Sequence, residues 1–567
     1  MDTQTLVGTP LTAPDDFPVV WPDPAFAMGH WTRDREHMPD PLTPMFFSTA
    51  GEMGVESRNR VTETYDEAVA QRRDILINNY IYTHITPYAG PPEALAARAQ
   101  RNREKLSTIS LRLEQVWREE WLPRLEAHWD FWHAFDVRGA SREALLAHLN
   151  ESVLRGSQLY EIHYLMGSPM WFAIDEFETL YCDLFPDQTK LDAHRLLQGF
   201  DNKTLEIGRA LWHLRDLALQ TPDVALAINV LPTKMLWAIL DSFATGRAFL
   251  DEVRAFLAAY GGRSDLWDWG YPSWQDDPMP VFNNLKAYLA QPDRDLQAEL
   301  AEAAAEREAA IVEARRALVT YPTPVVEHFE QLLRSAQLAL VLTENHTYYI
   351  DFNGFGWIHR IVREFGNRFA AAGQLHQPDD VFYLLLNELR ALATDTTLEY
   401  RERAAERLAE VKRWAAYDEP GELGLRPAEP LYLYSPDARR MLRYVGGHVA
   451  EMDLPQAEPD TLVGQAGAAG KVRGPARVIL SLNDAHRLQP GEILVTTTTS
   501  PPWTPLFLTA AAVVTDMGGL LSHGAVVARE YRIPAVVGTR SATEIIRDGQ
   551  WLEVDGNQGV VRLLREA

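Results

Sequence analysis

The sequence predicts two unlike units in one chain: a large, mainly α-helical domain and a small C-terminal α/β domain. Three observations carry this. From about Glu63 to Tyr444 apolar residues recur at helical spacing. Glu451 to Gly470 lacks that periodicity and closes on Gly464-Gln465-Ala466-Gly467-Ala468-Ala469-Gly470, the composition of a linker. From Lys471 onward the pattern changes to short apolar runs of strand length. The predicted organisation is an arm over residues 1–60, a helical domain over 61–450, a linker over 451–470 and an α/β domain over 471–567.

The arm is rich in proline and aromatic residues, with Trp21-Pro22 and His37-Met38-Pro39-Asp40-Pro41-Leu42-Thr43-Pro44. Prolines disfavour regular helix. Phe17, Trp21, Phe26, Trp31, Phe46 and Phe47 make the segment too apolar for disorder, so an extended arm laid over a neighbouring domain is expected. In the helical domain, Leu106, Ile109, Leu113, Val116 and Trp117 share one helical spacing, and Ile207, Leu211, Leu214 and Ala218 share another. The longest helix is expected over Asp295–Val319, dense in Ala, Glu and Arg, and a second charged helix over about Leu398–Ala416. No period of 20–50 residues repeats, which excludes a solenoid.

In the C-terminal domain strands are expected at Ala476–Leu480, Glu492–Thr496, Ala510–Thr515, Ala535–Val537, Trp551–Val554 and Val560–Leu563. Between the third and fourth runs Thr515-Asp516-Met517-Gly518-Gly519-Leu520-Leu521-Ser522-His523-Gly524. Gly518 and Gly519 allow a tight turn with exposed backbone N–H groups. Ser522 is an N-cap residue and His523–Tyr531 a short helix. One imidazole is thereby set at a helix N-terminus, where free N–H groups and the helix dipole favour an anion.

The composition narrows the function. A chain of 567 residues that is 46% apolar has room for several cores. Its formal charge of −25 argues against nucleic-acid and anionic-membrane surfaces, both of which need basic patches. Phosphate chemistry in such a field must rest on local arginines, lysines and backbone N–H groups. The single cysteine, Cys182, excludes an internal disulfide. The first residues show no secretion signal and no apolar run approaches the ~20 residues that span a bilayer, so a cytoplasmic setting is expected. Sixteen tryptophans are a large supply for walls around a flat aromatic ligand.

The whole string Gly-Gly-x-x-Ser-His-x-Ala-x-x-Ala-Arg-Glu-x-x-Ile-Pro-Ala-Val-Val-Gly, Gly518 to Gly538, closely resembles the phosphohistidine segment of the phosphoenolpyruvate-utilising enzymes. That group includes phosphoenolpyruvate synthase, pyruvate phosphate dikinase, rifampin phosphotransferase and phenylphosphate synthase. Gly524 stands where alanine is usual. Leu521 stands where the pyruvate dikinases carry a regulatory threonine. Upstream, Tyr260-Gly261-Gly262-Arg263 with Pro272-Ser273-Trp274-Gln275-Asp276-Asp277-Pro278 is similar to a Tyr-Gly-His-Arg…Pro-Arg-Trp-x-Glu-Asp-Pro pair in the relatives, with Gly262 replacing the histidine. Glu344-Asn345-His346-Thr347-Tyr348-Tyr349-Ile350-Asp351 resembles their Glu-Asp/Asn-His-x-x-x-Ile-Asp string.

The resemblance implies that 471–567 is a swivelling phosphohistidine domain and 61–450 binds the acceptor. His523 takes the phosphoryl group, with Gly518, Gly519, Ser522, Arg263 and Lys234 as phosphate-binding candidates. A neutral imidazole is a nucleophile near pH 7. About fifteen extended linker residues reach about 50 Å, enough for one histidine to serve two sites. His346 and His163 are candidate bases for the acceptor hydroxyl, and Glu344, Tyr348, Asp351, Trp171 and Trp357 candidate walls of its pocket. No phosphate-loop motif is read upstream and no (β/α)₈ barrel downstream. The nearest architecture is therefore the larger subunit of phenylphosphate synthase and related aryl-hydroxyl dikinases. In that case ATP and Mg²⁺ sit on a separate ATP-binding (ATP-grasp-like) subunit, and a small phenolic substrate gives an aryl phosphate, AMP and phosphate. Two other readings remain: a rifamycin-type antibiotic phosphotransferase component, and a phosphocarrier that passes its group to another protein. No Cys/His cluster with zinc spacing appears, and His128 and His133, five apart, do not share a helix face, so no metal site is expected in this chain.

Overall fold

Apolar side chains of the N-terminal stretch turn inward rather than lying on a surface. In the computed structural model, which describes residues 9–35, 37–264, 266–417, 419–427, 436–445 and 460–564, the strands β1 (Thr9–Leu11) and β2 (His30–Arg33) belong to a five-stranded antiparallel sheet. The other members are β3 (Val69–Ile77), β4 (Tyr80–Pro87) and β5 (Glu422–Arg426), in the order β1-β5-β2-β4-β3. Phe17, Trp31, Ile75, Tyr82 and Trp414 close its core. The expected arm is thus an integral part of a sheet, and its last part is helical, with a helix over Glu52–Thr64. The hairpin β3–β4 and the strand β5 also interrupt the stretch expected to be all helix. The signal for the hairpin is weak because burial alternates only at the end of Val69–Ile77, and β5 pairs with β2, about 390 residues away.

Helix dominates the rest of the region before the C-terminal sheet. The helix Arg142–Leu184 runs 43 residues with Pro169 inside it and packs against Thr323–His346, the second spine of the core. The charged helix is found at Leu296–Ala317, with Asp295 capping the N–H of Ala298, and its partner at Arg401–Ala415. The first of these buries Leu296, Ala303, Ala310, Ile311 and Ala314, so it is exposed on one side only. The spacing over Leu106–Trp117 does not make one helix: Pro92–Ser110 ends and Leu113–Val116 begins anew.

The C-terminal region is an eight-stranded mixed sheet with short helices. Its strands are β6 (Thr461–Val463), β7 (Gln465–Ala468), β8 (Lys471–Val478), β9 (Ile493–Thr496), β10 (Ala512–Thr515), β11 (Ala535–Val537), β12 (Trp551–Asp555) and β13 (Val560–Leu563), ordered β6-β13-β12-β8-β9-β10-β11-β7. The run β8-β9-β10-β11 is parallel, as its apolar, doubly covered sequences require. The glycine-rich half of the expected linker is β6 and β7: small side chains let β7 lie against β11, where a Cβ on Gly464 would meet the carbonyl oxygen of Val537 at 2.5 Å. Residues 451–459 lie outside the described residues. Among the described residues no helix is long and apolar enough to cross a membrane.

The sheet's helical face is docked onto the helical region through a shared core. Val527, Ala528, Tyr531, Phe507 and Leu508 pack with Leu205, Trp212 and Tyr288, while Leu521 and Val526 join the core of the long helices.

Candidate functional site

The site is built on the strand–turn–helix unit β10, turn, and the helix His523–Glu530. Gly518 has φ +107°, a conformation closed to L side chains at low cost, and turns the chain out of β10. Gly519 is needed for a different reason. A Cβ there would meet the carbonyl oxygen of Arg443 at 2.5 Å. The backbone of 443–445 lies along the turn and takes its N–H groups: Gly519 N–H bonds to Val445 O (3.1 Å), Leu520 to Arg443 O (3.1 Å) and Leu521 to Tyr444 O (2.8 Å). The Gly519 N–H expected to meet a phosphate is therefore occupied in this docked arrangement, as are those of Leu520 and Leu521. Ser522 occupies the N-cap position, yet its hydroxyl donates back to the Gly519 carbonyl (2.8 Å) and makes no cap bond. Residues 443–445, the end of the helix Pro436–Tyr444 and the turn after it, are anchored by the buried carboxylate of Glu178, which accepts from Arg443 (2.8 Å), Tyr444 Oη (3.0 Å) and His194 Nε2 (2.8 Å).

His523 is only 9% exposed and both ring nitrogens are engaged. Nδ1 lies 3.2 Å from Oε2 of Glu344 and Nε2 lies 3.2 Å from Oγ1 of Thr504. Thr504 donates its own proton to the carbonyl of Pro501 (2.7 Å). Glu344 is 3% exposed and also accepts from the Thr204 hydroxyl at 2.6 Å. Burial opposes its charge, but the neighbouring His523 and the hydrogen bonds from His523 and Thr204 hold its pKa below the usual carboxylate range. The sequence reading put Glu344 in the acceptor wall; the fold puts it on the His523 ring, 179 residues away.

Thr504, Thr204 and Thr499 are the residues that sequence reasoning missed. Thr499 explains the glycine after the histidine: a Cβ on Gly524 would approach the Thr499 hydroxyl to 2.8 Å. That hydroxyl is buried beside the helix N-terminus, with no hydrogen-bond partner among the described residues. The Thr496-Thr497-Thr498-Thr499 run after β9 was the available signal. The motif's Arg529 and Glu530 hold the unit together. Arg529 donates to the carbonyls of Gly467 (2.6 Å) and Leu520 (2.7 Å). Glu530 accepts the Gly199 N–H (2.8 Å), and burial pushes its pKa up to about 7.

A second cluster unites three of the expected residues. His163, on the helix Arg142–Leu184, faces His346 with ring centroids 4.8 Å apart, and Asp351 Oδ2 lies 3.7 Å from His163 Nδ1. Burial lowers the pKa of both histidines and raises that of Asp351 well above the carboxylate range. Asp351 also lines a small cavity of about 20 Å³ walled by Trp267, Trp269, Tyr271 and Phe352.

The remaining expectations fall elsewhere. Trp171 and Trp357 do not line this cavity: Trp171 packs against the main core, and Trp357 meets His133 and Arg360. Arg263 is 2% exposed, its guanidinium held 4.8 Å from both the Trp274 and Phe352 rings beside that cavity. Lys234 is exposed and lines a separate cavity of about 440 Å³ with Trp237, Met279 and Phe282. Tyr348 sits beneath the ammonium of Lys203 (5.1 Å), a cation next to Thr204 that sequence spacing could not have linked to Glu344.

Comparison with known proteins bears on this geometry. Residues 488–559 match the mobile domain of the PEP-utilising enzymes, and residues 172–344 match the fourth domain of rifampicin phosphotransferase. The chain is 39% identical over 98% of its length to chondramide synthase cmdD of Chondromyces crocatus, of which it spans 14%. It is 28% identical over 64% of its length to rifampicin phosphotransferase of Bacillus cereus and 30% identical over 66% to the prodigiosin synthesizing transferase PigC of Serratia marcescens. It spans 40% of each of these last two.

Proposed function

We propose, from the premise that this chain carries the mobile domain of the PEP-utilising enzymes at 488–559, that it is a phosphotransferase working through phosphorylated His523. The observation that carries the reading is the pairing of His523, at the head of its helix, with the buried Glu344 of the helical region. An imidazole whose Nδ1–H is held by a carboxylate presents Nε2 as the reacting nitrogen. With the Thr504 hydroxyl donating to Pro501, Nε2 meets Thr504 as an N–H donor in the docked arrangement, so its lone pair is offered to a phosphoryl group only once the domain has moved away from Thr504.

In the first half-reaction an ATP-binding, ATP-grasp-like subunit with Mg²⁺ supplies the phosphoryl group. A phosphorus–Nε2 bond forms, the bond to AMP breaks, and one water is consumed as phosphate leaves, so that the β-phosphoryl remains on His523. In the second, the domain docks as described, the phosphorus–nitrogen bond breaks and a phosphorus–oxygen bond forms to the acceptor hydroxyl, whose proton is taken up at the cluster of His163, His346 and Asp351. A phenol, with a pKa of about 10, needs less help to lose that proton than an alkyl alcohol. Trp267, Trp269 and Phe352 stand beside Asp351, but their cavity of about 20 Å³ is the size of about one water, so an aromatic acceptor has to open this wall to enter. The match of residues 172–344 to a rifampicin phosphotransferase domain favours a second reading, a rifamycin-type hydroxyl as acceptor.

The test is labelling with [β-³²P]ATP, with and without a candidate ATP-binding subunit, followed by a chase with phenol or with rifamycin. Label on the wild type that is absent in His523→Ala and moves to phenol supports the reading. Undiminished label in the alanine variant removes it. Transfer to rifamycin alone selects the second acceptor, and transfer only to another protein makes the chain a phosphocarrier.

A further inference from the structure

We propose that His163, His346 and Asp351 form a binding site for one divalent first-row transition-metal cation of the zinc type. The three side chains come from separate places: the middle of Arg142–Leu184, the last residue of Thr323–His346, and the π-helical turn Thr347–Phe352. One ligand atom from each lies within 4.8 Å of the other two. The π turn is the reason. On a straight α-helix residues five apart are about 140° apart around the axis. The i→i+5 bonding of a π turn sets such residues nearly one above the other, and His346 and Asp351 are five apart. The sequence rule that separates residues at this spacing fails where the helix widens.

The donor atoms are open to a cation, which would draw Asp351 into its ionised form. Nδ1 of His346 bonds to the Leu342 carbonyl at 3.0 Å, which makes Nδ1 the N–H and leaves the Nε2 lone pair for a ligand. Nδ1 of His163 and Oδ2 of Asp351 are buried with no hydrogen-bond partner among the described residues, and their separation of 3.7 Å is too long for a bond to each other. Two orphaned buried acceptors are costly alone, and one cation satisfies both. Two imidazole nitrogens with one carboxylate oxygen favour a borderline first-row ion over Mg²⁺ or Ca²⁺. Ligand distances of about 2.0–2.2 Å set tetrahedral ligand atoms about 3.4 Å apart, so seating the ion takes side-chain shifts of about an ångström. Three protein ligands leave the fourth position for an incoming oxygen. Asp351 faces the aromatic cavity, and with the ion bound these side chains no longer take up the acceptor's proton; the ion instead lowers the pKa of a bound hydroxyl. That role rests on the acceptor-site reading above; the binding of the ion does not.

The experiment uses the full chain freed of metal by chelation and titrated with Co²⁺, read by visible absorption, then with Zn²⁺ in competition. The expected result is saturation at one ion per chain, displacement by Zn²⁺, and binding at least tenfold weaker in each of His163→Asn, His346→Asn and Asp351→Asn. His523→Ala is expected to titrate as the wild type, which separates this proposal from phosphoryl transfer. Circular dichroism checks that the variants fold. Should one not fold, X-ray absorption fine structure of the Zn²⁺-loaded wild type reads the imidazole ligands directly. Wild type that does not saturate, tight binding untouched by the three substitutions, or a spectrum without two imidazoles would overturn the site.

Discussion

Glu344→Gln is the substitution that separates the two half-reactions. The amide keeps the size of the carboxylate and can still accept from Thr204, which lies 2.6 Å from Oε2. It loses the charge that faces His523 Nδ1 at 3.2 Å. A hydrogen bond to a charged group contributes about 1.5–3 kcal/mol, and Glu344 is 3% exposed, so little solvent screening reduces it. At 1.4 kcal/mol per tenfold, the loss is about 10- to 150-fold in the step made while the domain is docked. On the proposed mechanism only transfer from phosphohistidine to the acceptor uses this pairing, since phosphorylation would take place away from it, at a separate ATP-binding subunit. Single-turnover [β-³²P]ATP experiments measure both steps: label should accumulate on His523 at the wild-type rate and decay to product about 10- to 150-fold more slowly. Slowed labelling with normal decay, or no change in either step, would refute the assignment of Glu344 to the docked transfer.

Two further outcomes follow from the docking geometry. Gly519→Ala forces a methyl to within 2.5 Å of the Arg443 carbonyl oxygen, a backbone atom that cannot swing aside. The docked state should lose about 1–3 kcal/mol, with faster hydrogen exchange at the Leu520 and Leu521 amides; unchanged exchange would contradict the contact. Glu530, with its pKa raised to about 7 by burial, favours the docked state when protonated. Its contribution is fully present below the ordinary carboxylate pKa of about 4.3 and is lost as the pH rises through about 7. Thermal melts from pH 5 to 9 should show wild type falling relative to Glu530→Gln up to about pH 7 and running parallel above it, and curves parallel throughout would exclude Glu530 as the titrating group.

The sequence by itself determined the elements whose pattern is local. The parallel strands β9 to β11, the helix at His523 and the capped helix at Leu296 follow from apolar runs, glycine punctuation and periodicity within about twenty residues. His523 was legible because its strand, turn and helix are contiguous. What the tertiary structure alone decided is everything made by juxtaposition. The arm became sheet because β1 and β2 pair with a strand near residue 424. The Gly519 amide, expected to bind phosphate, was taken by the carbonyl of Val445. Glu344 moved from an acceptor wall to the histidine ring, and two separately named candidate bases proved to be one cluster with Asp351. Side-chain chemistry is written residue by residue, but hydrogen-bond partners are set by helix packing and by one π-helical turn, whose change of register no α-helical period encodes.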